Sequence, residues 1–166
     1  MARSCKTPVM DIQWAREDDV PLLLRFIRDL ATYEKLEHEV TATEEGLRRT
    51  LFGEKRYAEA LIARLDGEPV GFALFFHNYS TFVGKPGLYL EDLFVEPDHR
   101  GKGVGKALLQ RLAAIAIERD CGRMEWAVLD WNAPSIAFYR SLGAVPMDDW
   151  TVFRLAGPAL RELADR

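Results

Sequence analysis

A chain of 166 residues, 48% hydrophobic and 29% charged, is long enough to bury a real core and balanced like a globular protein, so a single domain over residues 1–166 is expected. Its formal net charge of −4 excludes the strongly basic balance of a general nucleic-acid binder. No apolar run reaches the ~18 residues needed to cross a bilayer.

The opening "MARSCKTP" carries charge with no apolar stretch after it, so no secretory signal is expected; residues 1–8 read as a flexible terminus of a cytoplasmic protein. Val9–Ala15, "VMDIQWA", reads as a first strand. A helix follows, with Asp18 or Asp19 before it, Pro21 in its first turn, and Val20, Leu23, Leu24, Ile27, Leu30 and Ala31 on one face. "TATEEGLRRTLF" predicts a second, short helix capped by Thr41 or Thr43. Two β-like runs flank Asp66-Gly67, a hairpin signal. Leu88–Val95, "LYLEDLFV", predicts a central, mostly buried strand. Val104 to Arg119 predicts an amphipathic helix through Leu108, Leu112, Ile115 and Ala116. Strands are expected at Met124–Asp130 and Trp150–Leu155. Between them lies a helix started by Asn132 and Pro134 and stopped by Gly143. The order β-α-α-β-β-β-α-β-α-β predicts an α/β (mixed α+β) fold: one mixed central sheet flanked by helices, not a doubly wound one.

The stretch with most chemical content is "EDLFVEPDHRGKGVGKALL", Glu91 to Leu109. Gly101, Gly103 and Gly105 alternate with Lys102 and Val104 between Arg100 and Lys106. Glycines permit positive φ and close approach to bare amides, and successive amides at a turn before a helix suit an anion such as a diphosphate. The other reading is an ordinary glycine-rich turn. Neither nucleotide fingerprint fits: Ala107 follows Gly105-Lys106 where a P-loop needs Ser or Thr, and Lys106 stands where a dinucleotide loop needs glycine. Two cysteines, Cys5 and Cys121, and three histidines, His38, His77 and His99, show neither disulfide-framework nor metal-ligand spacing. No metal is expected.

"RGKGVG" fits the R/Q-x-x-G-x-G/A pattern of the GNAT N-acetyltransferases. Together with "LATYEKLE" and "WNAPSIAFYRSLGA", the chain resembles their diamine branch, the spermidine/spermine and thialysine N-acetyltransferases, over roughly Val9 to Leu155. The resemblance implies acetyl transfer from acetyl-CoA to a small primary amine by direct attack. The amine must lose a proton, since a lysine-like ammonium has a pKa of about 10.4. The departing thiolate benefits from an acid. Tyr139 matches the family's acid, although helical spacing alone would make it a core aromatic. Glu91 matches the base, acting directly or through water, and Asp92 the acid beside it that binds substrate. Adjacent strand residues share one site only at a bulge or splay. The resemblance further implies coenzyme contacts from Leu93, Phe94 and Val95 and from the loop Arg100, Gly101, Lys102, Gly103, Val104, Gly105 and Lys106. Asn132, Ser135 and Tyr139 follow, with Asn132 equally suited to capping its helix. Tyr33, Glu34, Glu125, Trp126, Ala127, Asp148 and Trp150 would line the amine pocket with Glu91 and Asp92. Phe82 stands where the family has tryptophan, and Arg140 alone remains of its basic run. A homodimer is implied, with no nucleic-acid or membrane partner. Two other readings stand beside this one: acetylation of a protein lysine or N-terminus, and a coenzyme A-binding sensor without turnover.

Overall fold

A computed structural model of the protein describes residues 8–165, so Cys5 and most of the terminus expected to be flexible lie outside the described residues. The chain divides into two compact units after Ala127.

The first unit is a five-stranded sheet in the order β1-β2-β3-β4-β5. Its strands are β1 (Met10–Trp14), β2 (Glu59–Leu65), β3 (Glu68–Ser80), β4 (Lys85–Val95) and β5 (Arg123–Trp126). The first four pair antiparallel, and β4 with β5 is parallel. That makes the mixed sheet predicted from the element order. The β2–β3 hairpin turns at Asp66-Gly67, both at positive φ, as an Asp-Gly turn requires. Parallel pairing forces a crossover, supplied by α3 (Val104–Glu118).

One sheet face is covered by α1 (Val20–Glu34). Leu23 and Phe26 pack there against Ala60, Ile62, Phe72, Leu74 and Phe94, and the Phe26 and Phe72 rings stack at 5.6 Å. The α1 helix ends with Lys35 in the left-handed region, which leaves Tyr33 and Glu34 in its last turn. Alternation along the strands puts Leu61, Ala73, Phe75, Leu88 and Leu90 on the opposite face, and all are buried. The buried stripe of α3, Leu108, Leu112 and Ile115, forms the other half of that layer. Beyond it Arg119 makes a two-point contact with Glu59 on β2. That hydrogen bonding, from the guanidinium, holds the Glu59 carboxyl below its ordinary range. The predicted second helix is α2 (Glu44–Leu47), capped by Thr43, and it runs on as a wider turn through Phe52.

Gly71 on β3 faces the β4 backbone closely enough that an added Cβ would stand 2.5 Å from the Phe94 carbonyl oxygen. Backbone must move to admit it, so Gly71→Ala is expected to lower unfolding free energy by about 1–3 kcal/mol, read as a shifted urea midpoint at constant slope. A shift below about 0.5 kcal/mol would show that the strands give way freely.

In the second unit, α4 (Ala133–Ser141) starts at Asn132, whose side chain accepts from the Ser135 amide at 3.3 Å. Pro134 lies in its first turn and Gly143 follows its end at positive φ. A further helix, α5 (Gly157–Ala164), has no counterpart in the sequence reading. Two strand predictions need correction. The strand expected over Met124–Asp130 stops at Trp126, and Trp150–Leu155 forms no strand among the described residues. A strand is defined by its ladder, and an apolar alternating run without a paired neighbour does not become one.

Candidate active site

The glycine loop sits between β4 and α3. The backbone turns through Pro97–His99, and Gly101 and Gly103 have φ of 73° and 84°, values open to glycine and costly for other residues. Gly103 caps α3. Ala107 N–H donates to the Gly103 carbonyl, whereas the amides of Gly101 through Lys106 have no backbone acceptor among the described residues. These free amides, at the N-terminus of a fifteen-residue helix and flanked by Lys102 and Lys106, form a cradle for an anion.

Arg100 faces elsewhere than its place in the motif suggests. Its guanidinium lies 4.4 Å from the Tyr33 ring centroid and 5.8 Å from that of Phe94, and Nε donates to the Val95 carbonyl at 3.0 Å. Arg100 therefore ties the end of α1 to the end of β4. Arg25, in the first half of α1, pairs with Glu96 just past β4 at 2.8 Å.

The β4 edge that leads to the loop is open. β5 pairs with β4 only over Gly87–Leu90, yet β4 continues to Val95. Glu91 to Val95 thus lack a β5 partner on that side, and Leu93, Phe94 and Val95 can accept an extended chain as an added strand.

A bulge marks where this splay begins. Leu74 pairs with Asp92 and Phe75 with Leu90, so Glu91 is the extra residue. Glu91 is exposed, while Asp92 is half-buried on the face covered by α1. Burial first, then the charges of Glu91 and Glu34, raise the Asp92 carboxyl from 3.8 to about 7. Glu34 is itself raised by burial. The described residues give Asp92 no ion-pair partner.

A stability consequence follows with a definite sign. Folded Asp92 keeps a proton that the unfolded chain loses near pH 4. Its stabilising contribution is complete below that pH and disappears as pH rises to about 7. Asp92→Asn is expected to flatten this part of the profile of urea midpoint against pH; identical slopes in both proteins would contradict the assigned proton.

Of the other expected pocket residues, Tyr33 and Glu34 close α1. Glu125 accepts from Asn78 Nδ2 at 2.8 Å and forms an ion pair with Arg123, also at 2.8 Å, so its charge is already partnered. Trp126 ends β5 and Ala127 follows it. Phe82 is almost fully exposed in the β3–β4 turn. In the second unit Asn132 is buried and caps α4, Ser135 lies in the first turn, and Tyr139 is half-buried in the body of the helix with its ring 5.5 Å from that of Phe138. Arg140 follows in the last turn. Asp148 and Trp150 are exposed outside regular structure.

The bulge, the open strand edge and the free-amide loop all lie between Glu91 and Lys106. Residues 23–144 match the acetyltransferase (GNAT) family. The chain belongs to that family. It is 40% identical to the thialysine N-epsilon-acetyltransferase of Bos taurus, over 93% of this chain and 97% of that one. It is 32% identical to the L-ornithine N5-acetyltransferase of Arabidopsis thaliana, over 92% and 86%. An integron cassette protein from Vibrio cholerae has a solved structure 27% identical in sequence, with a TM-score of 0.80 over 95% of this GNAT chain and 98% of its own.

Sequence reasoning passed over two aromatic residues, Phe76 and Tyr89. They pair across β3 and β4 with ring centroids 5.1 Å apart. The register puts them on the face that carries Asp92, because Phe72, Leu74 and Phe76 alternate on one side of β3. No motif marks them; only the strand pairing does. Among the described residues no His, Cys, Asp and Glu group is arranged to hold a metal ion, and no helix is long and apolar enough to cross a membrane.

Proposed function

We propose that this GNAT protein transfers the acetyl group of acetyl-CoA to a primary amine of a small aliphatic substrate: a diamine, a polyamine or a thialysine-like amino acid. The observation that carries this reading is the continuity, within one unit, of the free-amide loop, the open β4 edge and the carboxylates at the bulge. A pyrophosphate on the amides of Gly101 to Lys106 would let the pantetheine arm run along Leu93 to Val95, so that the thioester ends beside Glu91 and Asp92. The relatives support a small acceptor, since two of them are named for thialysine and L-ornithine, both amino acids with a terminal amine.

In this mechanism the amine nitrogen attacks the thioester carbonyl carbon. Glu91 accepts the ammonium proton, directly or through a water, and Asp92 and Glu34 attract the cation before it is deprotonated. Collapse of the tetrahedral adduct breaks the carbon–sulfur bond. Tyr139 gives its phenolic proton to the departing thiolate, and the proton that the nitrogen still carries after attack passes through water to the Tyr139 phenolate, leaving the neutral amide. We take the two units as one acetyltransferase domain, because the family match crosses the boundary at Ala127. A cytoplasmic location and a homodimer complete the proposal, the latter checked by light scattering.

The test is thiol release from acetyl-CoA by the purified protein with putrescine, spermidine, lysine, thialysine and a lysine-containing peptide. Saturable release with a free small amine is expected. Acetyl-CoA bound tightly with no release by any acceptor would overturn the reading in favour of a sensor.

A further inference from the structure

The α1 face of the sheet has a part that α1 leaves uncovered. Phe72, Leu74 and Phe94 are buried on this face, whereas Phe76 and Tyr89, further along it, are only half-buried. Their rings form one continuous aromatic surface, inclined at 33° to each other. Two aromatic residues that the core does not need, side by side across two strands, offer a non-specific hydrocarbon surface with a π face for a cation.

What surrounds this surface selects its occupant. On one side stand Glu91 and Asp92, with Glu34 behind them. Asp92 pairs at Leu74 and Tyr89 at Phe76, two residues along β3, so the carboxylate position lies about 7 Å from the ring pair at the ordinary strand rise. On the other side a cavity of about 290 Å³ opens beside Phe76, its remaining walls Arg56, Tyr57, Ala58, Glu59 and His77. The Tyr89 hydroxyl forms no hydrogen bond with the described residues. Burial, helped by the charges of Glu91 and Glu125, keeps its phenol protonated. Negative charge at one end, an apolar floor and room at the far end complement a long aliphatic ammonium.

We propose that Tyr89 and Phe76 are specificity-determining residues whose rings carry the methylene stem of the acceptor amine from the carboxylates at the bulge toward the cavity beside Phe76. The enzyme then selects amines by stem length. This rests on the reading that a small amine is the acceptor. Each methylene laid on the rings is worth up to about fourfold in kcat/KM, the equivalent of ~0.8 kcal/mol per buried CH₂, until the floor is filled.

The experiment is a series of unbranched α,ω-diamines from two to six methylenes, with kcat and KM measured for wild type, Tyr89→Ala, Phe76→Ala and Tyr89→Phe, each checked for fold by circular dichroism. In wild type kcat/KM is expected to climb with stem length, mainly through KM. In Tyr89→Ala and Phe76→Ala, which remove the apolar surface under the stem, the climb collapses to within about twofold over the series, and Tyr89→Phe, which retains the ring, restores it. The Phe76 variant carries the test alone if the Tyr89→Ala protein misfolds. A length dependence that survives both alanine variants, or activity lowered equally at all lengths, would overturn the inference. So would wild-type turnover indifferent to stem length, even though small-amine acetylation would then stand. A wild type that acetylates no member of the series would defeat the small-amine reading itself, and this inference with it.

Discussion

Tyr139→Phe is expected to lower kcat by about 10²- to 10⁴-fold, the range for loss of a positioned acid, while acetyl-CoA affinity changes far less. The substitution removes one oxygen from α4 and keeps the ring that lies against Phe138. Asn132 still caps the helix. Stopped-flow measurement of thiol release alongside calorimetric titration with acetyl-CoA separates the two effects. Equal loss of turnover and of binding would remove Tyr139 from the acid role and leave it a packing residue. A drop below about tenfold would mean that the thiolate leaves without help, as its pKa of about 8.5 partly allows.

The second large effect concerns the base. Glu91→Gln keeps the bulge, which is set by the pairing of Leu74 with Asp92 and Phe75 with Leu90 rather than by the Glu91 side chain. It removes the proton acceptor. At neutral pH kcat/KM is expected to fall by about 10²-fold or more. The loss should shrink as pH rises toward the amine's own pKa of about 10.4, because a neutral amine needs no base. A deficit constant from pH 7 to 10 would place Glu91 in binding alone. Asp92→Asn provides the contrast. Asp92 shares its burial with Leu74 and lies near Glu34, so its replacement should raise the KM for a cationic amine more than it lowers kcat.

Much of the scaffold was legible because each element carries a local signal. The α1 and α3 helices show apolar stripes at helical spacing, the β2–β3 hairpin has its Asp-Gly turn, and α4 has Asn132, Pro134 and Gly143 at the positions that start and stop a helix. The glycine loop was legible for the same reason, since positive φ at Gly101 and Gly103 demands that residue type.

What escaped depends on partners distant in sequence. The length of β5 is set by where β4 splays away, so "MEWAVLD" looks like a longer strand than Arg123–Trp126. "WTVFRL" alternates well but finds no ladder among the described residues. Phe76 and Tyr89 look like any two aromatics until the β3–β4 register places them side by side, two β3 residues along from Leu74 and its partner Asp92. The two carboxylates themselves were visible as a pair, but their division was not. Only the bulge makes Glu91 exposed and Asp92 half-buried, and burial then raises the Asp92 carboxyl to about 7. Arg100 likewise reads as part of an anion loop, yet its head reaches back over Tyr33, a contact that depends on where α1 ends.

The account stands or falls on the identity of the acceptor. The most direct measurement is a competition in one reaction: acetyl-CoA, the enzyme, and equal concentrations of a free aliphatic diamine, thialysine and a lysine-containing peptide, with acetylated products quantified by mass spectrometry over the first few turnovers. The account predicts that acetyl appears on the diamine or on thialysine and that the peptide stays unmodified. Preferential acetylation of the peptide would contradict it.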